Sequence, residues 1–115
     1  MSTTIYHNPR CTKSRLTLEL LGEKGIEPTV IKYLDTPPDA AQLDAILQQL
    51  GMEPRDLMRT FESIYKEAGI DNPDLSRDEL IQAMIDHPIL IERPIVITDK
   101  GAAIGRPPET VLKVL

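Results

Sequence analysis

The first 34 residues change their hydrophobic pattern twice, and this feature restricts the possible folds of the chain more than any other. Thr3–Tyr6 is rich in β-branched residues and predicts a short strand. A helix is predicted from Thr12 to Lys24 and ends at Gly25, and its apolar positions are Leu16, Leu18, Leu20 and Leu21. Residues 27–34 predict a second strand. Together these segments predict a β-α-β unit.

The next segment, from about residue 36 to residue 87, is helical in pattern. Its first helix is expected to hold Pro37 and Pro38 in its first turn and to end at Gly51. Short helices are expected over residues 54–59 and 61–68. A further helix follows the capping box that begins at Ser76.

The end of the chain returns to the two-residue period of strands. Ile95–Thr98 predicts a buried strand, Asp99–Gly101 a hairpin turn and Ala102–Gly105 the partner strand. A last helix begins at the proline pair Pro107–Pro108. The whole order predicts an α/β protein with a thioredoxin-like fold and a helical insertion after the second strand. Residues 1–115 are expected to form a single domain.

The composition excludes several classes of protein. The chain has 115 residues, enough for one core, and its net charge of -5 disfavours nucleic acid as a partner, because phosphate contacts need a basic surface. No apolar run approaches the roughly 20 residues of a membrane-spanning helix, and we expect no signal peptide. The single cysteine excludes an internal disulfide, which predicts a cytoplasmic protein. We expect a monomer.

That cysteine, Cys11, lies in the stretch HNPRCTKSR between the first strand and the first helix. Unpaired N–H groups and the helix dipole at a helix start favour a thiolate and suit a bound anion. His7, Arg10, Lys13 and Arg15 would add to this effect if they face the sulfur. We therefore predict an activated nucleophile beside an oxyanion site. We predict no metal site, because His7 and Cys11 have no second pair of ligands nearby.

Ser14 stands where a redox Cys-x-x-Cys pair holds its second cysteine. The chain therefore cannot form a disulfide with itself, and any redox cycle needs an external thiol. The Ser14 hydroxyl is expected to donate a hydrogen bond to the thiolate or to a bound anion, or to be a plain helix serine. Three arginines lie beside turn signals, and spacing alone does not predict that they converge: Arg59, Arg93 and Arg106.

Four stretches occur in the order HNPRCTKSR, RDLMR, HPILIERPIV and IGRPPETVL. They resemble the glutaredoxin-linked arsenate reductase family, often called the ArsC family, and in particular its short-chain branch. The resemblance implies that Cys11 is the nucleophile and that His7 helps to lower its pKa. It also implies that the oxyanion is bound by Arg59, Arg93 and Arg106.

Four further residues complete the site that the resemblance implies. Pro94 matches a cis proline that faces the active site in thioredoxin-type folds. Asn8, Ser14 and Arg15 are expected to support the site. Arg10 departs from the family pattern, as do Thr12 and Lys13, and an extra cation at Arg10 is expected to favour the thiolate and to affect which anion or thiol is accepted.

The activity that the resemblance implies is reduction of arsenate to arsenite through a cysteine–arsenic intermediate. Glutathione would be the co-substrate, glutaredoxin the protein partner, and no cofactor would be bound. Two alternatives stay open. One is a redox-related transcriptional regulator that binds RNA polymerase, although Ser14 argues against a disulfide switch. The other is a glutathione-dependent thiol oxidoreductase whose arginines recognise glutathione carboxylates.

Overall fold

The computed structural model describes residues 2–115, which divide into two compact units. The first unit contains the chain up to Thr36 together with Arg93–Leu115, and the second contains Pro37–Glu92. The second unit therefore ends at Glu92, whereas the helical insertion was predicted to end at about residue 87. No helix of the described chain is both long and apolar enough to span a membrane.

The first unit is built on a four-stranded mixed sheet with the strand order β2-β1-β3-β4. Strand β1 pairs in parallel with β2 and antiparallel with β3, and β3 and β4 form an antiparallel hairpin. The elements of this unit are β1 Thr4–His7, α1 Thr12–Glu23, β2 Thr29–Lys32, β3 Ile95–Thr98, β4 Gly101–Ile104 and a C-terminal 3₁₀ helix Pro108–Val114. The predicted order of strands and helices is confirmed.

The core of the first unit joins the sheet to α1 and to the C-terminal 3₁₀ helix. Side chains from all three elements are almost fully buried there: Ile5, Leu21, Val96, Ala103, Val111 and Val114. The burial of these apolar groups fixes β1 and α1 relative to each other. The loop between β1 and α1, which carries Cys11, is therefore held at both ends.

The buried face of α1 differs from the predicted one. Its buried residues are Ser14, Thr17 and Leu21, while Leu16 is 45% exposed. The reason is close packing, because a Cβ atom built on Gly105 would collide with the hydroxyl of Thr17. Small polar residues fit this approach of helix and chain better than leucine does.

Two boundaries near the sheet also differ from the predictions. Strand β1 includes His7 rather than ending at Tyr6. Strand β4 begins at Gly101, which was expected to lie in the turn, and its φ of +135° is one that glycine adopts without strain. The turn between β3 and β4 therefore contains two residues, Asp99 and Lys100.

The second unit contains four α-helices: α2 Ala40–Leu50, α3 Pro54–Leu57, α4 Ser63–Glu67 and α5 Arg77–Asp86, followed by a 3₁₀ turn Pro88–Leu90. Helix α2 begins after Asp39, whose side chain forms a capping box with Gln42, so Pro37 and Pro38 precede the helix instead of forming its first turn. The predicted cap at Ser76 and the predicted end of α2 at Gly51 are confirmed, and Gly51 is in the left-handed conformation.

Candidate active site

Cys11 is the N-cap residue of α1 and has extended backbone angles, φ -93° and ψ 124°. The loop before it is held by its own backbone, since the Cys11 N–H donates to the carbonyl of Asn8 at 3.0 Å. The side-chain oxygen of Asn8 accepts the N–H of Arg10, also at 3.0 Å. Asn8 therefore fixes the turn that presents the thiol at the start of the helix.

Arg106 and Arg93 lie on the other side of the thiol and come from the far end of the sequence. The Nη2 atom of Arg106 is 3.4 Å from the sulfur of Cys11. Its Nε atom donates to the carbonyl oxygen of Arg93 at 2.8 Å, which fixes the direction of the guanidinium. Both arginines precede cis prolines, Pro94 as the resemblance implied and Pro107 in addition.

Gly105 is a site residue that the sequence analysis missed. Its N–H donates to the carbonyl oxygen of Pro94 at 2.9 Å. A Cβ atom at this position would lie 2.8 Å from Cγ of Pro94 and would also collide with Thr17. Only glycine lets the chain pass this close to α1 and Pro94, and this passage places Arg106 beside the thiol. The one signal in the sequence is a glycine directly before Arg106.

The pKa of the Cys11 thiol is the result of opposing effects. Burial raises the pKa, but the other groups outweigh it, and the net pKa lies below the ordinary value of a cysteine. The lowering groups, in decreasing order, are the backbone N–H of Ser14, the side chain of Arg93, the charge of Arg106 and the backbone N–H of Lys13. The helix start and two distant arginines therefore favour the thiolate.

Two of the cations next to Cys11 in sequence, Arg15 and Lys13, contact the loop or the thiol through groups that the structure identifies. Arg15 uses its guanidinium on the loop, donating to the carbonyl oxygen of Pro9 and to the hydroxyl of Thr12, both at 3.3 Å. Lys13 lowers the thiol pKa through its backbone N–H rather than through its side chain. Arg15 thus supports the loop, and the positive charge near the sulfur comes from Arg93 and Arg106.

His7 and Ser14 form a buried pair behind the loop. The Nδ1 atom of His7 lies 2.7 Å from the hydroxyl oxygen of Ser14, which also accepts the N–H of Asn8 at 3.0 Å. Burial, with a smaller effect of the Lys32 charge, lowers the pKa of His7. The lowered pKa favours the neutral imidazole, and the expected role of His7 in lowering the thiol pKa stays a prediction.

The Ser14 hydroxyl does not contact the thiolate, which was one of the alternatives expected for it. That hydroxyl is engaged with His7 and Asn8 inside the protein, where Ser14 is fully buried. Ser14 acts on Cys11 through its backbone N–H instead. The buried pair therefore holds in place the helix turn whose N–H groups lower the pKa of the thiol.

Arg59 belongs to the second unit, where carboxylates hold its side chain. Its Nε atom lies 3.1 Å from Glu62 and its Nη1 atom 2.9 Å from Glu92. The exposed ring of Phe61 stacks against the guanidinium, with the ring centre 4.5 Å from Cζ. The role of Arg59 in binding an oxyanion stays a prediction. Within residues 2–115 no group of three or more His, Cys, Asp or Glu side chains could hold a metal ion.

Residues 6–114 match the ArsC family. This chain belongs to the ArsC family. An arsenate reductase of Neisseria meningitidis serogroup A is 53% identical over 96% of both chains. An uncharacterized protein of Escherichia coli (strain K12) is 56% identical over 96% of this chain and 94% of its own.

A solved structure of an arsenate reductase from Vibrio cholerae has a TM-score of 0.96 to this ArsC-family chain. The two are 53% identical, and the alignment covers all of this chain and 98% of the other. These similarities confirm the predicted family and the predicted thioredoxin-like α/β fold. Within this fold, the thiol lies together with Arg93 and Arg106, two of the three arginines that the ArsC motifs pointed to, in the first unit.

Proposed function

We propose that this protein is an arsenate reductase with the Cys11 thiolate as its nucleophile. The observation that carries the proposal is the 3.4 Å contact between Arg106 and the sulfur of Cys11 at the start of α1. A thiolate beside a guanidinium suits attack on an oxyanion, because the cation holds the anion and the helix start favours the ionised nucleophile. The names of the relatives agree with this activity.

The first chemical step makes a sulfur–arsenic bond. The Cys11 thiolate attacks the arsenic of dihydrogen arsenate, one arsenic–oxygen bond breaks, and hydroxide leaves. Arsenic remains As(V). The guanidinium groups of Arg93 and Arg106 donate hydrogen bonds to the remaining oxygens and stabilise their negative charge. We propose that Arg59 takes part in the same binding, as the resemblance implies.

The electrons come from external thiols, because the position of a second cysteine is occupied by Ser14. We propose that glutathione replaces a second arsenic oxygen, which leaves as water. A glutaredoxin thiol then attacks the glutathione sulfur, so a disulfide forms and the electron pair of the broken sulfur–arsenic bond stays on arsenic. The thiol proton passes to an arsenic oxygen. Water finally releases arsenous acid and restores the Cys11 thiolate.

The proposal places this reaction in the cytoplasm, where glutathione is abundant and thiols stay reduced. Arsenate-dependent oxidation of NADPH, coupled through glutathione reductase and glutaredoxin, tests it. We expect turnover that requires arsenate, glutathione and Cys11. Absence of turnover with several glutaredoxins, under conditions in which a known arsenate reductase is active, would contradict the proposal.

The two alternative functions give different results in simple assays. A glutathione-dependent thiol oxidoreductase would reduce a glutathionylated peptide without arsenate. A transcriptional regulator would recover RNA polymerase subunits from lysate in a pull-down. We expect neither result.

A further inference from the structure

A cavity of about 290 Å³ opens beside the loop that carries Cys11, entirely within the first unit. Its lining comes from the end of β1 and the following loop, and from the end of β2 and the following turn: His7, Asn8, Pro9, Arg10, Lys32, Leu34 and Asp35. These are the carboxyl ends of two parallel strands. Ligands of open α/β sheets bind at such ends. Its size is near the lower end of the range for small-molecule pockets.

The charges of this cavity form a specific pattern. Arg10 and Lys32 supply two positive charges, Asp35 supplies one negative charge, and the buried His7 is neutral at neutral pH. Within residues 2–115 the structure shows no salt bridge of Arg10, Lys32 or Asp35. The charged groups that line the cavity are therefore available to a ligand.

The cavity and the thiol share one loop. Arg10 directly precedes Cys11, and the carbonyl of Asn8, another lining residue, accepts the Cys11 N–H at 3.0 Å. Leu34, which is 42% exposed, adds an apolar surface on the β2 side. A ligand in the cavity would therefore lie next to the backbone that presents the nucleophile.

We propose that this cavity binds the reducing thiol as a small peptide thiol with two carboxylates and one ammonium group, which is the charge pattern of glutathione. The two cations would hold the two carboxylates, and Asp35 would hold the ammonium group. The cysteine of the tripeptide lies between its charged ends and would face the Cys11 loop. This inference rests on the proposed function for its ligand class, and the cavity and its charges stand independently of it.

Binding of S-methylglutathione, which carries the same charges and cannot react, tests the site without any need for catalysis. Titration followed by NMR should shift the amides of Asn8, Arg10, Leu34 and Asp35. The double reversal Arg10→Glu with Lys32→Glu should raise the Kd at least about tenfold, which corresponds to about 1.4 kcal/mol. The exposed Lys24 lies outside the cavity, so Lys24→Glu should leave the Kd within about twofold.

The analogue that lacks the glycine residue tests the assignment of charges. It has one carboxylate fewer, so only one of the single reversals, Arg10→Glu or Lys32→Glu, should still weaken its binding. The proposal is overturned if the double reversal leaves the Kd of S-methylglutathione unchanged, or if Lys24→Glu weakens binding equally. If binding responds as expected but no arsenate is reduced, the proposed function fails and the peptide-thiol site stands. If arsenate is reduced but the reversals have no effect on binding, only the site fails.

Discussion

The two sides of the thiol obtain their positive character in different ways. On the α1 side, the loop and first helical turn supply backbone N–H groups, those of Ser14 and Lys13. On the other side, the segment from Arg93 to Arg106 supplies guanidinium groups, with Arg106 at 3.4 Å from the sulfur. The side-chain charge near Cys11 therefore comes from residues that are adjacent to it in space and distant in sequence. Of the basic residues beside Cys11 in sequence, Arg15 uses its guanidinium on the loop itself, where it donates to Pro9 and Thr12.

The substitution with the largest expected effect removes the Cys11 thiol, which lies between the two sides. Cys11→Ser should abolish arsenate reduction, because a serine hydroxyl stays protonated at neutral pH and cannot replace the thiolate. The coupled NADPH assay measures this, with thermal unfolding as the control for an intact fold. Activity near that of the wild type would exclude Cys11 as the nucleophile.

A pair of arginine variants compares the two sides directly. Arg106→Ala should lower kcat/KM for arsenate by about a hundredfold or more, the effect of removing one donor from a preorganised anion site. Arg15→Ala removes the same charge from the loop, where the guanidinium contacts Pro9 and Thr12. Arg15→Ala should lower kcat/KM for arsenate by less than about tenfold. Equal losses in the two variants would mean that the position of the charge is unimportant.

A pair of glycine variants compares the packing on the two sides. Gly105→Ala should lower the free energy of unfolding by about 1–3 kcal/mol, because the added methyl group meets Thr17 and Pro94. Gly22→Ala adds the same group to α1, where it meets nothing within 4 Å apart from its chain neighbours and the backbone of its own helix. Alanine also favours a helix, so this variant should be equally stable or more stable by up to about 1 kcal/mol. Urea denaturation measures both, and a stable Gly105→Ala variant would contradict the close approach.

The buried histidine gives a smaller effect that depends on pH. The pKa of His7 is lowered in the folded protein, so the unfolded state binds a proton first as the pH falls below about 6.5. The stability contributed by the neutral imidazole is then lost between about pH 6.5 and the lower folded pKa, by at most about 1.4 kcal/mol per pH unit. Urea denaturation at several pH values gives the free energy of unfolding of the wild type and of His7→Gln. This free energy should fall less steeply with decreasing pH in the variant. Identical slopes would mean that His7 does not titrate in this way.

The sequence predicted most of the fold because its signals are local. The β-α-β pattern, the cap at Ser76 and the helix end at Gly51 each depend on a few adjacent residues. The buried face of α1 was not predictable in this way, since it depends on the approach of Gly105, which is distant in sequence. The apolar pattern of the helix included Leu16, but nothing in the sequence indicated that Gly105 approaches a different face of α1.

In the candidate site too, the features set by adjacent residues were predictable and those set by distant residues were not. The position of Cys11 at the start of a helix followed from the local pattern. The approach of Arg93 and Arg106 followed only from the resemblance, because spacing gives no distance across a sheet. The neutral His7 was missed, since its pKa depends on burial and on Lys32 in the neighbouring strand.

The rate of iodoacetamide alkylation of Cys11 as a function of pH measures how strongly its surroundings favour the thiolate. In the wild type the inflection should lie below the reference pKa of about 8.5, because the thiolate is the reactive form. It should move to higher pH in Arg106→Ala and stay in place in Arg15→Ala. A wild-type inflection at or above about 8.5, or equal shifts in the two variants, would show that the helix start and Arg106 do not activate the Cys11 thiol.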